Sequence, residues 1–404
     1  MFVKLLRKKF AGVQQPLGRW IVRHLLGFIV LSPAILVTWL YLKLLKYEVI
    51  IVGVSSSAIS SFLVPLEPEL RKRQHTNVGL SRTFVLNMSV DANLQVRKMY
   101  NEIVKIYGNE NKLLRRIVYW ASKFGIKVSK PAQTLSDQFW RIGSPSISLT
   151  SAVDDLGMRY LETVGVSHNK FICYATRTES YYSKLISNGV VVKPRSIRNP
   201  NEQIYLDAVS KFLDQGFSII RMGKDLNTRL RSSDLTGVVD YATTNRTDAL
   251  DCFLLNRCKF LLSGASGIVW FRNIFNLPSL ICDSYDIRAT HMPNEIFLFQ
   301  RVCYLSSGEF ATVSEMLKMR SEYSDERHQG QLGVELIKNT ADEILAACNE
   351  MNSRIDGTWI TTPQDEELQQ RYLDLVVKYS DQPTWRGGGR VGTQFLRDNQ
   401  DLLK

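Results

Sequence analysis

Residues 258–267 read Cys258-Lys259-Phe260-Leu261-Leu262-Ser263-Gly264-Ala265-Ser266-Gly267. Lys259 to Leu262 is a short apolar run of the kind that forms a strand buried on both faces, and the small residues behind it form a tight loop. Ile268 to Phe275 follows as a helix, and Ser279 to Cys282 returns as a strand. The same alternation extends toward the N-terminus. Lys170 to Tyr174 is a strand. Ile204, Ala208, Val209, Phe212 and Leu213 recur at helical spacing up to Gly216. Phe217 to Ile220 and Val238 to Tyr241 are strands, and Thr247-Asp248 caps a helix through Leu255. Strands alternating with helices at this spacing predict a doubly wound parallel sheet, which binds ligands at the carboxyl ends of its strands.

The first half carries the same signals more faintly. Glu48 to Val54 is a β-branched run ending at Gly53 and Ser55-Ser56-Ser57, and Thr83 to Met88 repeats it. Leu94 to Tyr107 reads as a helix, Leu113 to Ile126 as a basic helix, and Gln138 to Ser151 as irregular. The expected organisation is an α/β domain over 47–165, a second over 166–350, and closing helices over 351–404.

Ahead of these lies a basic leader, 1–24, whose Lys4, Arg7, Lys8, Lys9, Arg19 and Arg23 precede any acidic residue. Leu25 to Leu42 then runs 18 residues without a charge, closed by Lys43 and Lys46. That is the lower edge of what spans a hydrocarbon core of about 30 Å. Pro33 predicts a kink, and Trp39 and Tyr41 suit a membrane interface. Residues 25–46 are therefore expected to seat the chain on a membrane. A basic leader favours a cytoplasmic N-terminus, so a simple span would export the domains. A kinked, monotopic segment on the cytoplasmic face avoids this.

The 404 residues exceed one small domain. The balance of 51 basic to 39 acidic residues, a formal net charge of +12, attracts nucleic acid, anionic lipid or phosphorylated small molecules. The basic residues form no single aromatic-interleaved patch, which argues against nucleic acid. Six cysteines without a CxxC pair exclude a zinc ribbon or disulfide scaffold and suit a reducing compartment. Five scattered histidines make no metal motif.

Small residues at Ser263 to Gly267 let backbone N–H groups approach a phosphate at a helix start. Taken alone, the loop is equally a turn for close packing. Arg177 and Arg221 also sit just past strand ends, with Gly223 and Lys224 beside the second, and two guanidinium groups in one crevice would neutralise a diphosphate. Neither GxGxxG nor a P-loop is present.

Asp240-Tyr241-Ala242, Thr247-Asp248-Ala249-Leu250-Asp251 and Cys258 to Gly267, with Gly216 to Gly223, Asn339-Thr340, Glu343-Ile344, Glu350-Met351, Asp356-Gly357-Thr358-Trp359 and Gly392 to Leu396, resemble a bacterial family of glycosyltransferases of GT-B type. The resemblance covers roughly residues 165–400 and is similar, more distantly, to GT-B fucosyltransferases. It implies two Rossmann-like domains facing a cleft, with the closing helices crossing back onto the first. It further implies that Arg177 grips the donor diphosphate and that Ser263 and Ser266 belong to the loop holding the same group. Gly264, Gly267 and Asp240 lie in matching runs and join the expected donor site. Ala175 stands where the fucosyltransferase pattern has His, and Thr178 where the bacterial family has Asp.

The implied reaction is sugar transfer from a nucleotide diphosphate donor to a glycan or lipid-linked acceptor, in bacterial surface polysaccharide assembly at the inner membrane. Arg177 and Arg221 would stabilise the leaving diphosphate. No metal or other cofactor is expected, since no carboxylate pair sits at a strand end. The nearest, Asp154-Asp155, lies in an irregular stretch. The base is expected from the first domain, where Glu67, Glu69 and Asp91 are available. A catalytically silent scaffold in a membrane assembly complex is the alternative, given Ala175 and Thr178.

Overall fold

The computed structural model describes residues 15–53, 58–77, 79–80, 82–129, 138–140, 144–168, 170–177, 196–224, 226, 229–230, 237–288, 292–319, 322–324, 326–379 and 389–404. Residues 1–14 of the basic leader, Ser55 to Ser57 and Thr178 lie outside them.

Two parallel sheets organise the chain. The first has four strands, β1 (Glu48–Val52), β2 (Thr83–Asn87), β3 (Lys105–Tyr107) and β4 (Lys127–Ser129), in the order β3-β2-β1-β4. The second has seven. Its strands are β5 (Phe171–Ala175), β6 (Ser218–Met222), β7 (Val238–Val239), β8 (Leu261–Ser263), β9 (Ser279–Ser284), β10 (Glu295–Phe299) and β13 (Arg390–Val391), in the order β13-β10-β9-β8-β5-β6-β7. A hairpin of β11 (Arg301–Tyr304) and β12 (Val334–Ile337) stands apart. Every residue of β5 and β9 is buried, as expected of parallel strands covered on both faces.

In the first domain, helices α2 (Ile59–His75) and α3 (Leu94–Asn101) cover one face of the sheet. Helices α1 (Gln15–Leu44) and α4 (Lys112–Ser122) cover the other. The expected helix over 94–107 is thus shorter: Asn93 caps α3, and the chain re-enters the sheet as β3. The segment expected to seat the chain on a membrane forms one continuous helix through Pro33. Among the described residues, no helix is long and apolar enough to cross a membrane.

Helix α5 (Ser151–Thr163), capped by Thr150, begins inside the stretch expected to be irregular. It packs on α8 (Asp248–Arg257) of the second domain, which follows α6 (Glu202–Leu213) and the single turn α7 (Tyr241–Thr244). By packing, α5 therefore belongs to the second sheet although its position places it in the first domain. Asp154, in its first turn, is paired at the surface with Arg257 (2.7 Å).

The C-terminal helices do not cross back. Beyond α9 (Phe271–Phe275), α10 (Val313–Lys318), α11 (Glu326–Leu332) and α12 (Ala341–Ile355), helices α13 (Pro363–Tyr379) and α14 (Thr393–Asp398) close the outer edge of the second sheet. Tyr372 stacks on Phe299 at 6.2 Å, and Phe395 meets the same ring edge-on at 4.9 Å. β13 between them adds a strand beside β10. Among the described residues their buried side chains, Leu368, Tyr372, Val376, Phe395 and Leu396, all pack into the core of the second sheet.

The α5–α8 contact is close because Gly157 has no side chain. A Cβ there would lie 2.0 Å from the buried Phe253 ring. Alanine at a helix interior gains about 1 kcal/mol in propensity, but forcing a methyl into a packed ring loses roughly 1–3 kcal/mol. Gly157→Ala is expected to lower the urea midpoint with an unchanged m-value. A midpoint at or above wild type would show that the ring yields freely.

Candidate functional site

The chain enters the large sheet in its middle, at β5, moves outward through β6 to β7, and returns on the other side of β5 as β8. The connections leaving β5 and β8 diverge and open a crevice at their carboxyl ends. Ala175 pairs with Ser263, so the loops carrying Arg177 and Ser266 emerge side by side. A cleft of about 250 Å³ lies there. Ile59, Ser60, Ala92 and Asn93 of the first domain form one wall, and Arg177, Ser266 and Trp270 form part of the other.

Of the nine residues expected to bind a donor, Arg177, Gly223, Lys224, Ser266 and Gly267 line this cleft, whereas Arg221, Asp240, Ser263 and Gly264 do not. The Ser263 hydroxyl is fully buried within reach of the Ala175 carbonyl (3.1 Å), the Gly264 carbonyl (2.9 Å) and Ser266 Oγ (3.0 Å). It holds the loop to β5. Gly264 donates its N–H to the Ala175 carbonyl at 3.3 Å, and a Cβ there would meet Pro200 and Tyr205 at 3.4 Å. Lys224 reaches across the cleft to the Ala92 carbonyl at 2.7 Å and ties the two domains together.

Arg221 departs from expectation because β6 runs to Met222, so this arginine lies inside the strand, opposite Tyr174. Its side chain is 1% exposed. Nε and Nη2 donate to the two oxygens of Glu202 at 2.7 and 2.8 Å, and Nη1 donates to Asp240 at 3.0 Å. Burial alone would raise the Asp240 pKa, but hydrogen bonds from Thr243, the Leu230 N–H and Arg221 outweigh it and hold the group below its ordinary value. Both residues are a buried brace at the start of α6 and α7.

Sequence reasoning missed Arg198, Arg246 and Asp251, which also line the cleft. Arg198 donates twice to the Ala265 carbonyl, at 3.1 and 2.7 Å, and so supports the small-residue loop. Arg246 sits just ahead of α8, with Nη2 between Asp248 Oδ1 (2.7 Å) and Asp251 Oδ2 (2.5 Å). Tyr241 Oη lies 2.9 Å from both Asp251 Oδ1 and the Thr247 carbonyl, and its one proton serves one of them. Burial pushes the Asp251 carboxyl up to about 6, against the opposing pull of Arg246 and the Tyr241 hydrogen bond. The available signal was an arginine ahead of a Thr-capped helix with aspartates at its first and fourth positions.

None of the first-domain carboxylates singled out as bases lines the cleft. Glu67 is buried and accepts from Arg71 (2.7 Å), Tyr100 Oη (2.6 Å) and the Ser146 N–H (3.0 Å). Glu69 pairs with Arg73 at 3.0 Å, and Asp91 with Arg97 at 2.9 Å. Among the described residues, no three His, Cys, Asp or Glu side chains gather to hold a metal ion. The cleft thus gathers Arg177, Arg198, Lys224 and Arg246 against Asp251, an arrangement suited to a multiply charged anion.

No protein family matches the chain, and no curated protein does. Among solved structures it is similar to the ADP-heptose lipopolysaccharide heptosyltransferase II of E. coli, at 10% identity and a TM-score of 0.43, over 63% of this chain and 90% of that one. It is also similar to a family 9 glycosyl transferase from Veillonella parvula, at 11% identity and a TM-score of 0.42, over 63% of this chain and 86% of that one. A third likeness is to the iron-containing dodecameric glycosyltransferase TibC of enterotoxigenic E. coli, at 10% identity and a TM-score of 0.36, over 83% and 76%. None of the three is described as a fucosyltransferase.

The brace and the cleft arginine should respond differently to substitution. Removing the Arg221 guanidinium strands Asp240 in the interior and unpairs the half-buried Glu202. Arg221→Ala is therefore expected to lower unfolding stability by roughly 3–5 kcal/mol, as for other broken buried pairs. Because Asp240 is held below its unfolded value, the brace stabilises the fold at neutral pH and is lost as pH falls through the folded pKa. The wild-type advantage over the variant in denaturant should shrink in acid. A variant as stable as wild type at pH 7 would return Arg221 to the list of ligand candidates.

Proposed function

We propose that the chain is a glycosyltransferase of GT-B type that moves a sugar from a nucleotide diphosphate donor to a glycan or lipid-linked acceptor. The observation that carries this reading is the gathering of Arg177, Arg198 and Arg246 at the β5–β8 crevice, beside a small-residue loop and facing a second parallel sheet. The resemblance at Arg177 and Ser266 to the diphosphate-binding motifs of GT-B transferases supports the same assignment. The sugar moved in this reading is a hexosyl or deoxyhexosyl group.

In the proposed reaction the acceptor hydroxyl oxygen attacks the anomeric carbon, and the bond from that carbon to the diphosphate oxygen breaks. The electron pair leaves with the nucleoside diphosphate. Arg177 meets the growing charge with a planar fork that engages two oxygens at once. Arg198 adds positive potential within the same hollow, while Arg246 is held by Asp248 and Asp251 and orients the latter. With Arg177 and Arg198 doing this work, the reaction as proposed uses no divalent metal. Asp251 takes the acceptor proton. A carboxyl raised to about 6 is ionised at neutral pH and more basic than an ordinary aspartate.

Two measurements bear on this reading. A nucleoside diphosphate at one hundred times its dissociation constant should stabilise the protein by about 2.7 kcal/mol. Arg177→Ala and Arg177→Lys should both weaken that effect, and turnover in the alanine variant should fall on the order of 10²-fold, with melting unchanged. Binding without release of nucleoside diphosphate from any donor would favour the silent scaffold. Near-normal turnover in Arg177→Ala would remove the diphosphate assignment.

The pH dependence tests Asp251. A base must be ionised, so kcat/KM should rise with pH through about 6 and level off above it. Asp251→Asn should abolish that limb along with most turnover. A limb retained in the asparagine variant would place the base elsewhere.

A further inference from the structure

A helix on the surface of a water-soluble domain normally turns polar side chains outward, and α1 does not. Its inner face closes on the first sheet. Ile35 and Leu42 are 4% and 1% exposed, and Trp39 Nε1 donates to the Phe124 carbonyl at 2.5 Å. The opposite face is apolar as well: Val30, Leu36, Val37, Leu40 and Leu44 are between 43% and 76% exposed. Helix α4 continues the surface with Leu113 (60% exposed) and Leu114 (38%), and the turn behind it adds Phe124. Leu114, Val37 and Tyr41 line one groove of about 620 Å³ where the two helices meet the edge of the first sheet, so the two apolar faces are contiguous. Such a patch marks an interaction site.

The rim of the patch identifies the partner. Lys43 lies in the last turn of α1 and Lys46 just past it, Lys105 stands in the groove, Lys112 and Arg116 flank the leucines of α4, and Lys123 precedes Phe124; all are exposed. The acidic groups nearest in sequence are Glu48, which is paired with Arg73 and Lys127, Glu102, also in the groove, and Glu110, which is paired with Arg97. A second copy docking by a two-fold axis would set this cationic rim against itself. An anionic lipid surface is complementary to it, and Trp39 and Tyr41 have the amphipathic rings that favour headgroup depth.

We propose that the joint face of α1 and α4 is a membrane-docking surface for an anionic leaflet, with α1 lying along the interface instead of crossing it. Over residues 29–44 its inner face is already occupied by protein, so only the outer half of that stretch is left for lipid, as in an interfacial helix. The cleft opens at the carboxyl ends of β5 and β8, walled by the residues that follow β1 and β2, and no residue of α1 or α4 lines it. Docking therefore leaves the cleft in water near the bilayer, and the inference stands whether or not the cleft transfers sugars.

The test uses the full chain diluted from detergent into vesicles of phosphatidylcholine, with and without phosphatidylglycerol, followed by flotation. Binding is expected to require the anionic lipid and to weaken with salt. Leu113→Glu/Leu114→Glu on α4 and Leu36→Glu/Leu40→Glu on α1 should each weaken binding by about tenfold or more. All four side chains are exposed, so melting curves should match wild type. Unchanged binding by the α4 pair would overturn the proposal, since a lone anchoring helix would not need those leucines. Equal binding to neutral vesicles would overturn the choice of partner. So would a soluble dimer that the same substitutions disperse.

Discussion

The guanidinium of Arg71 fixes how the two sheets meet. It is 1% exposed on α2, where it pairs with Glu67 one turn earlier at 2.7 Å. From there it donates to the Trp140 carbonyl (3.0 Å), to Asn276 Oδ1 (3.2 Å) and to the Asn273 carbonyl at the end of α9. A helix C-terminus is a favourable place for a cation. Glu67 in turn is held by Tyr100 of the first domain and the Ser146 N–H. A charge pair this deep is stable only when its remaining donors and acceptors are satisfied, and here they are met from both domains at once. Asp248, which accepts from the Leu94 N–H at 2.7 Å, and Lys224 on Ala92 repeat the tie on either side of the cleft. The hollow between the sheets is therefore a built space with fixed walls.

Within it, position decides what an arginine does. Arg177 and Arg221 belong to adjacent strands, and a reading of strand ends treats them alike. Arg221 is one residue short of the edge of its strand and turns into the side covered by α6, where two carboxylates await it. Arg177 is two residues past the edge and lines the cleft. Asp251 shows the same dependence on surroundings. Near its neighbour Asp248 in sequence, it is far more buried, and desolvation raises its proton affinity even beside Arg246.

The sequence by itself determined the middle of the second sheet: apolar runs at 170–174, 259–262 and 279–282 with helices between them, the Thr247 cap, and the small-residue loop behind β8, but not the edge strands β10 and β13. These are local properties, set by side-chain period and cap chemistry over a few residues. It also marked Arg177 and Ser266, because a loop that follows a central parallel strand has one place to go. Other features were decided by tertiary structure alone. Helix α2 contains Pro65 and Pro68 and persists because Leu63, Leu66 and Leu70 are fully buried and Arg71 is anchored in the facing domain. The segment 102–107 leaves the helical pattern because an open edge beside β2 receives it. The C-terminal helices stay with the second sheet because its rings at Phe297 and Phe299 accept Tyr372 and Phe395. Arg198, Arg246 and Asp251 reach the cleft from segments that no spacing rule connects to Arg177. The return of β8 to the far side of β5 brings them together, and that long-range pairing depends on the whole packed sheet.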